Sequence, residues 1–321
     1  MKSALICGIT GQDGAFLARF LVDHGYEVWG ASRDAQTANT SRLRRLEVLD
    51  QVTLISMAPT DFRSVLQSID QCQPSEIYNL SGQSSVSLSF EQPVETLESI
   101  STGTLNILES IRFLKIKARF YNAGSGECFG DTGLAQASET TPFRPCSPYA
   151  VAKSAAHWLV ANYRVAYKMH ASTGILFNHE SPLRPARFVT SKIVNTAVQI
   201  SRGSEVKLNL GDLGISRDWG WAPEYVRAMW KMLQVASPED YVIATGQANT
   251  LQDFVAATFS KLDLDWRAHV IQDPALFRRS EVRYSCGDAS KARRTLEWEA
   301  QNKMQEVIHM MIDEALTIPA N

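Results

Sequence analysis

Short apolar runs and amphipathic stretches alternate through the first half of the chain. Runs typical of buried strands occupy residues 4–7, 26–30, 52–56, 76–80, 119–123 and 171–177. Apolar residues recur at helical spacing over 15–24 and 104–114, and again from Pro148 to Tyr163. Strands separated by helices are typical of βαβ units, so this half predicts a parallel sheet with right-handed crossovers.

The second half of the chain carries a weaker pattern. It predicts a strand at residues 241–244 and helices at 251–262 and 304–316. No internal repeat, low-complexity tract or obvious linker interrupts the sequence. We therefore predict an α/β protein in which a smaller C-terminal α/β part packs closely against the large parallel sheet.

Composition and charge narrow the functional classes. The 321 residues suffice for one large domain or two unequal ones, and the net charge of -2 predicts no nucleic-acid and no membrane-surface partner. The five cysteines are scattered without CxxC spacing, which favours a reducing compartment over a disulfide framework. We find no signal peptide and no apolar span of about 20 residues, so we expect a cytoplasmic protein without a membrane segment.

Three glycines separate the first predicted strand from the first predicted helix. Gly8, Gly11 and Gly14 form a GxxGxxG pattern, with Gln12 and Asp13 inside it. Glycine lets the backbone approach a pyrophosphate closely, and a helix N-terminus offers unpaired N–H groups to the anion. The strand, turn and helix supply the context that this motif requires, so we predict a Rossmann-like, dinucleotide-binding sheet. A tight turn without a ligand is the alternative.

The end of the second predicted strand bears on the cofactor. NAD-preferring folds place an acidic residue there to hold the ribose 2′-hydroxyl, whereas this chain has Ser32 and Arg33. A cation suits a 2′-phosphate, so Arg33 favours NADP, although Asp34 follows it and a solvated charge is the alternative. Asp61 follows the third strand, where it would either accept a hydrogen bond from the adenine amino group or cap the next helix.

Tyr149 and Lys153 form a YxxxK pair at the start of the helix after Pro148. An i, i+4 spacing places both side chains on one helix face. We expect the ammonium of Lys153 to lower the pKa of the Tyr149 phenol, which otherwise is a poor base at neutral pH, and to hold the nicotinamide ribose. A surface pair without a function is the alternative.

The fifth predicted strand ends in Asn122-Ala123-Gly124-Ser125-Gly126-Glu127. The carboxyl ends of parallel strands face the ligand crevice. We therefore expect Ser125 to hydrogen-bond a substrate hydroxyl beside Tyr149, and Glu127 to be a carboxylate that moves protons. The two glycines around Ser125 predict a loose loop, and a turn with solvated Ser and Glu is the alternative.

These features resemble the extended short-chain dehydrogenase/reductase family over essentially the whole chain, and within it the GDP-mannose 4,6-dehydratases. The resembling stretches are Gly8-Ile-Thr-Gly-Gln-Asp-Gly14, Ser147-Pro-Tyr-Ala-Val-Ala-Lys153, Gly174-Ile-Leu-Phe-Asn-His-Glu-Ser-Pro182, Arg217-Asp-Trp-Gly220 and Asp273-Pro-Ala-Leu-Phe-Arg278. The Phe-Asn-His-Glu-Ser and Arg-Asp-Trp-Gly runs are the most specific.

The resemblance implies roles for individual residues. Tyr149 and Lys153 match the family's catalytic pair, Ser125 stands where the family usually has threonine, and Glu127 matches its catalytic glutamate. His179 matches a residue beside the cofactor, and the remaining matches, all expected to bind the sugar nucleotide, are Asn178, Lys192, Arg217 and Arg278. Ordinary ion pairs are the alternative for Arg217 and Arg278.

The implied reaction is redox-neutral. GDP-mannose is oxidised transiently at C4, loses water across C5 and C6, and receives the hydride back at C6, giving GDP-4-keto-6-deoxymannose. The resemblance further implies NADP as cofactor, no metal, and a homodimer or homotetramer. It assigns residues 1–177, with the chain returning near 215–250, to an NADP-binding domain, and residues 178–321 mainly to the sugar-nucleotide domain.

Three other functions compete with this one. A GDP-sugar 4-reductase or 4-epimerase of the same family needs the YxxxK pair but has less use for a carboxylate at position 127. A non-catalytic relative would bind a nucleotide sugar without turnover. A metalloenzyme is the weakest alternative, because the six histidines show no HxxxH or similar ligand spacing.

Overall fold

The computed structural model describes residues 2–277 and 280–318. Its strands within these ranges are β1 (Ser3–Cys7), β2 (Glu27–Ser32), β3 (Val52–Ser56), β4 (Glu76–Asn79), β5 (Arg119–Ala123), β6 (Ala171–Leu176), β7 (Asn178–Glu180), β8 (Leu208–Leu210), β9 (Ser216–Trp221), β10 (Tyr241–Ile243), β11 (Ala248–Thr250), β12 (Val270–Gln272) and β13 (Tyr284–Ser285).

The same ranges contain helices that alternate with most of these strands. They are α1 (Gln12–Asp23), α2 (Ser41–Arg45), α3 (Phe62–Cys72), α4 (Val86–Glu91), α5 (Pro93–Leu97), α6 (Gly103–Leu114), α7 (Pro148–Ala166), α8 (Val189–Ser201), α9 (Ala222–Gln234), α10 (Leu251–Ser260), α11 (Ser290–Leu296) and α12 (Met304–Thr317). A π-helical turn, Glu98–Thr102, leads from α5 into α6.

A seven-stranded sheet organises the larger part of the molecule. Its strand order is β10-β6-β5-β4-β1-β2-β3, and every neighbouring pair is parallel. The order reverses between β1 and β4, which is where doubly wound sheets bind ligands. The predicted Rossmann-like parallel sheet is therefore confirmed, and its predicted strands are found with small shifts at their ends.

Helices cover both faces of this sheet. Leu17 and Leu21 of α1 pack with Met229 and Met232 of α9 in one apolar cluster. On the other face, helices α3, α6 and α7 share a second cluster with β1, β4 and β5. Both faces are buried, which explains why the strands of this sheet are continuous apolar runs.

A smaller C-terminal α/β part lies beside the carboxyl edge of the large sheet, as the sequence predicts. Strand β9 is at its centre, paired with β7, β11 and β13, while β8 and β12 form a separate parallel pair. Helices α8, α10 and α12 pack around Trp219 and Phe254. Helices α8 and α9 and the short strands of this part were not predicted.

The chain crosses between the two parts more than once. After β9 it returns to the large sheet, where α9 packs on α1 and β10 pairs with β6, and it then goes back to the smaller part through β11. Within residues 2–277 and 280–318, no helix combines the length and apolar character that crossing a bilayer requires.

Candidate active site

A cavity of about 410 Å³ opens at the carboxyl edge of the large sheet, between that sheet and the smaller part. The ends of β4, β5 and β6, the start of α1, α7 and α8, and the loop after β8 all contribute to its wall. The predicted site residues that line it are Asp13, Ser125, Glu127, Tyr149, Lys153, Asn178, His179, Lys192 and Arg217. Residues far apart in the sequence are thus brought to one place.

The glycine-rich turn leaves no room for side chains where a dinucleotide would approach. Gly8 has φ +87°, and a Cβ added to Gly14 would lie 2.3 Å from the Gly8 carbonyl oxygen. Helix α1 starts at Gln12, and Gly11 before it offers no side-chain cap. The N–H groups of the first turn therefore remain available to an anion, so this turn fits a pyrophosphate.

The buried His179 and the partly buried Asp13 form an ion pair beside this turn. His179 Nε2 lies 2.9 Å from Asp13 Oδ2, and His179 Nδ1 lies 2.7 Å from the Phe177 carbonyl oxygen. Burial opposes ionisation of Asp13, but His179 and a hydrogen bond from Gln12 outweigh it and lower the pKa of Asp13 to about 2. Burial likewise opposes the charge of His179, yet Asp13 raises its pKa. Both ring nitrogens face acceptors, so His179 is an imidazolium.

Tyr149 stands in the first turn of α7. Ser147 Oγ accepts a hydrogen bond from the Ala150 N–H at 3.1 Å, and Pro148 occupies the first helical position, so the helix begins just before the tyrosine. Burial raises the pKa of Tyr149 well above its ordinary value, while a hydrogen bond with Ser125 lowers it in part. The phenol is therefore protonated at neutral pH in the free protein.

Lys153 lies one turn further along α7 and is also buried. Its Nζ donates to the Ala123 carbonyl oxygen at 2.8 Å and lies 5.8 Å from the centre of the Tyr149 ring. Burial lowers the pKa of Lys153 to about 8, so the ammonium form still dominates at pH 7. Burial has the largest effect on the Tyr149 pKa in the free protein and the ammonium is directed at a carbonyl, so the lowering of that pKa by Lys153 stays a prediction.

Ser125 and Glu127 lie in the turn after β5. Ser125 is buried, and its Oγ accepts a hydrogen bond from the Glu127 N–H at 3.3 Å. An added Cβ would lie 2.7 Å from Thr173 Cγ2 at Gly124, and 3.1 Å from the Phe177 ring at Gly126. The expected loose loop is therefore wrong, because both glycines are packed against β6 and the residue after it.

The substrate side of the cavity carries Asn178, Lys192 and Arg217. Asn178 begins β7, and Lys192 Nζ donates to the Asn209 carbonyl oxygen at 2.6 Å. The buried Arg217 forms an ion pair with Glu281, with Nη2 and Oε1 2.8 Å apart. Arg217 therefore forms the ion pair that was the alternative for it, at the cavity wall. Arg278 lies outside the described residues.

Asp218, next to Arg217, is fully buried and ties the smaller part to the large sheet. Its Oδ1 accepts from the N–H and the Oγ1 of Thr245 at 2.9 and 2.7 Å. Its Oδ2 accepts from the Gly246 N–H at 2.9 Å and from the Gly287 N–H at 3.4 Å. Strand β9 is thereby held against the loop that follows β10.

Six predicted cofactor residues are not among those that line the cavity: four belong to the glycine-rich turn, and the other two are Arg33 and Asp61. Arg33 is exposed in the loop after β2, where Asp34 accepts hydrogen bonds from the Gln36 N–H at 2.9 Å and from Thr37 Oγ1 at 2.8 Å. Asp61 accepts from the Arg63 N–H at 3.0 Å and caps α3. The capping alternative for Asp61 is confirmed, and its contact with adenine stays a prediction.

The sequence model of the family described as GDP-mannose 4,6 dehydratase matches residues 5–311. The chain belongs to this family.

Members from distant organisms resemble the chain over its full length. A protein named GDP-mannose 4,6 dehydratase 2 from Arabidopsis thaliana is 46% identical over 99% of this chain and 87% of its own length. A GDP-mannose 4,6-dehydratase from Sinorhizobium fredii is 43% identical over 98% of this chain and 97% of its own.

A solved structure has a similar fold. The crystal structure of a Thermus thermophilus UDP-glucose 4-epimerase in complex with NAD has a TM-score of 0.86 at 23% identity, covering 98% of this chain and 99% of that one.

For this family member, sequence reasoning missed two parts of the cavity wall. One is the turn after β4, where Ser81, Gln83 and Ser85 line the cavity. Its position at the carboxyl end of a central strand was the signal that could have revealed it. The other is the segment before α8, which contributes Arg184 and Arg187.

Proposed function

We propose that this protein is an NADP-dependent GDP-mannose 4,6-dehydratase, which converts GDP-mannose to GDP-4-keto-6-deoxymannose. The observation that carries the proposal is the cavity that gathers Tyr149, Lys153, Ser125 and Glu127 at the carboxyl edge of the sheet. Membership of the family supports the substrate, because its relatives in plants and bacteria carry the same activity in their names.

Residues around the glycine-rich turn would hold the dinucleotide. The pyrophosphate cradle would consist of Gly8, Gly11, Gln12 and Gly14. Further contacts would come from Asp13, Asp61 and His179. One N–H of the Lys153 ammonium is bound to the Ala123 carbonyl, and the others are available to the nicotinamide ribose. A bound nicotinamide would supply hydride chemistry, with C4 of the sugar as the hydride donor and C6 as the position to which the hydride returns.

Oxidation at C4 requires a base, and we assign this role to Tyr149. Its phenolate takes the proton of the sugar 4-hydroxyl as the C–H bond at C4 breaks. Ser125, within hydrogen-bonding reach of the phenol, donates to the same sugar oxygen and keeps it in line with Tyr149. The Lys153 ammonium stabilises the phenolate once the sugar and cofactor have excluded water from the cavity.

The elimination of water requires one group that removes a proton and then donates it, and we assign this role to Glu127. A ketone at C4 makes the C5 proton acidic, and the Glu127 carboxylate removes it. The same carboxyl then gives the proton to the departing 6-hydroxyl, so that one water leaves and a C5–C6 double bond forms. The proton that Tyr149 took from the 4-hydroxyl is delivered to C5 as the hydride returns to C6, which restores the phenolate and completes a product with a 4-ketone and a 6-methyl group. The GDP and hexose would be held by Asn178, Lys192, Arg217 and Arg278.

Turnover of GDP-mannose tests the proposal. The purified protein with catalytic NADP is expected to give a product lighter by one water, with no net change in NADPH absorbance. GDP-, dTDP-, UDP- and CDP-hexoses are assayed in parallel. Stoichiometric loss of NADPH with a 4-keto substrate would instead assign a reductase, and tight binding without turnover of any sugar nucleotide would assign a non-catalytic binder.

Arg33 is proposed to select NADP. Asp34 is engaged by its own loop, so the exposed guanidinium of Arg33 is the charge left at the end of β2 for a 2′-phosphate. We expect Arg33→Ala to weaken NADPH binding about 10- to 100-fold and NADH binding by less than about twofold, since a charge-assisted hydrogen bond is lost only with NADPH. Fluorescence titration measures both, with Arg63→Ala, an exposed arginine on α3, as control. Equal losses for the two cofactors would contradict the assignment.

The proposal also covers the organisation of the chain and its assembly. We assign residues 1–177, with the return of α9 and β10, to the NADP-binding part, and residues 178–321 mainly to the sugar-nucleotide part. The crossing of the chain between its two sheets supports this division. A homodimer or homotetramer and a cytoplasmic location complete the proposal, and sedimentation velocity of the purified protein tests the assembly.

A further inference from the structure

Arg187 differs from the other cations that line the cavity. Each of the others has a partner. Lys153 donates to the Ala123 carbonyl and Lys192 to the Asn209 carbonyl. Arg184 and Arg217 form ion pairs with Glu180 and Glu281. Among the residues that the structure describes, Arg187 has no hydrogen-bond acceptor and no carboxylate partner. Its exposed guanidinium stacks only on the Phe188 ring, 5.1 Å from the ring centre.

Arg187 stands directly before α8, a helix whose first turn faces the cavity through Val189, Thr190 and Lys192. That first turn contains no acidic residue, and its N-cap, Phe188, provides no side-chain hydrogen bond. The N–H groups of the turn and the positive end of the helix dipole therefore add to the charges of Arg187 and Lys192. All of these features favour an anion at one place.

A second guanidinium, that of Arg42, interacts with the charge of Arg187. Arg42 donates from Nε to the Leu183 carbonyl oxygen at 2.9 Å and from Nη1 to the Thr10 carbonyl oxygen at 3.1 Å. Burial lowers the pKa of Arg42, and repulsion by Arg187 lowers it further. The carbonyls that hold Arg42 fix its position, and an anion bound at Arg187 would offset the repulsion between the two charges.

We propose that Arg187 binds the diphosphate of the nucleotide sugar, together with Lys192 and the first turn of α8. A guanidinium donates two parallel hydrogen bonds to phosphate oxygens, and its stacking on Phe188 holds it in place before the ligand arrives. This inference rests on the proposed function for the sugar, since the diphosphate is the group that all nucleotide-sugar substrates share.

The test compares Arg187→Ala and Arg187→Lys with Arg202→Ala. Arg202 is an exposed arginine just after α8 that donates to the Leu316 carbonyl, so it serves as a matched control for loss of charge. Isothermal titration measures GDP, guanosine and NADPH, and unfolding temperatures confirm that each variant is folded. We expect Arg187→Ala to weaken GDP binding about 10- to 100-fold, with Arg187→Lys in between, since the lost bonds are charge-assisted.

Guanosine and NADPH affinities are expected to stay within about twofold in Arg187→Ala, because neither involves the substrate diphosphate. Unchanged GDP affinity would overturn the proposal, and so would a loss confined to NADPH, which would place Arg187 at the cofactor pyrophosphate instead. If the wild type binds UDP or dTDP and not GDP, the proposed substrate fails. The Arg187 comparison is then made with the nucleoside diphosphate that binds.

Discussion

Glu127→Gln is expected to lower kcat for dehydration of GDP-mannose by about 10²- to 10⁴-fold, the range that a positioned acid–base group contributes. The amide has the size of the carboxyl group but neither removes the C5 proton nor protonates the departing 6-hydroxyl. Since the Glu127 side chain is not among the glycine-rich turn residues that would hold the dinucleotide, NADPH affinity should stay within about twofold. Product mass measures the loss of water, and fluorescence titration measures the cofactor.

Glu95→Gln provides the control, because Glu95 is an exposed carboxylate on α5 and its replacement removes the same charge. The Glu127 variant retains Tyr149, Lys153 and Ser125, so a deuterium label at C4 should still be transferred slowly to the cofactor. If Glu127→Gln turned over GDP-mannose at the wild-type rate, Glu127 would have no part in the mechanism. A dead variant that also fails to bind NADPH would show damage to the fold rather than loss of a proton carrier.

Tyr149→Phe is expected to reduce kcat by about 10²- to 10⁴-fold with little effect on KM, because the proton of the 4-hydroxyl then has no acceptor. The substitution removes one oxygen from a buried ring and leaves the packing of α7 intact. Burial raises the Tyr149 pKa, so the phenolate fraction grows as pH rises. Wild-type kcat/KM should therefore rise with pH from 6 towards 8, and the residual rate of Tyr149→Phe should not.

Tyr167→Phe is the matched control, since Tyr167 is half exposed at the end of the same helix. Steady-state rates across pH, with unfolding temperatures for each variant, separate the chemical role from a structural one. Equal pH profiles for the wild type and Tyr149→Phe would show that another group accepts the proton.

The large sheet was predictable because its strands are buried on both faces and therefore read as continuous apolar runs. Helix α8 was not predicted, because its own residues do not favour a helix. It begins with Val189 and Thr190 and continues with Ile193 and Val194, β-branched residues that disfavour a helix on their own, and packing around Trp219 decides its conformation. Helix α9 follows β9 without an intervening turn, and its start was missed although Gly220 and Pro223 flank the junction.

The candidate site likewise has features that the sequence could predict and features that it could not. The glycine turn and the Tyr149–Lys153 pair have local spacing, so their positions could be predicted from the sequence. The direction of the Tyr149 pKa could not, because it depends on burial by residues distant in the chain. Nor could the hydrogen bond from Lys153 to the Ala123 carbonyl, which exists only once α7 packs on β5.

The return of the chain through α9 and β10 limits how this enzyme could be recombined with relatives. A hybrid joined at residue 177 would exchange the edge strand that pairs with β6, and also the helix whose Met229 and Met232 pack with α1. Such a graft would bring a foreign strand and helix into the large parallel sheet and its helical layer. Exchange of substrate preference is better attempted by transplanting the segments on either side of residues 222–243 and keeping that stretch native.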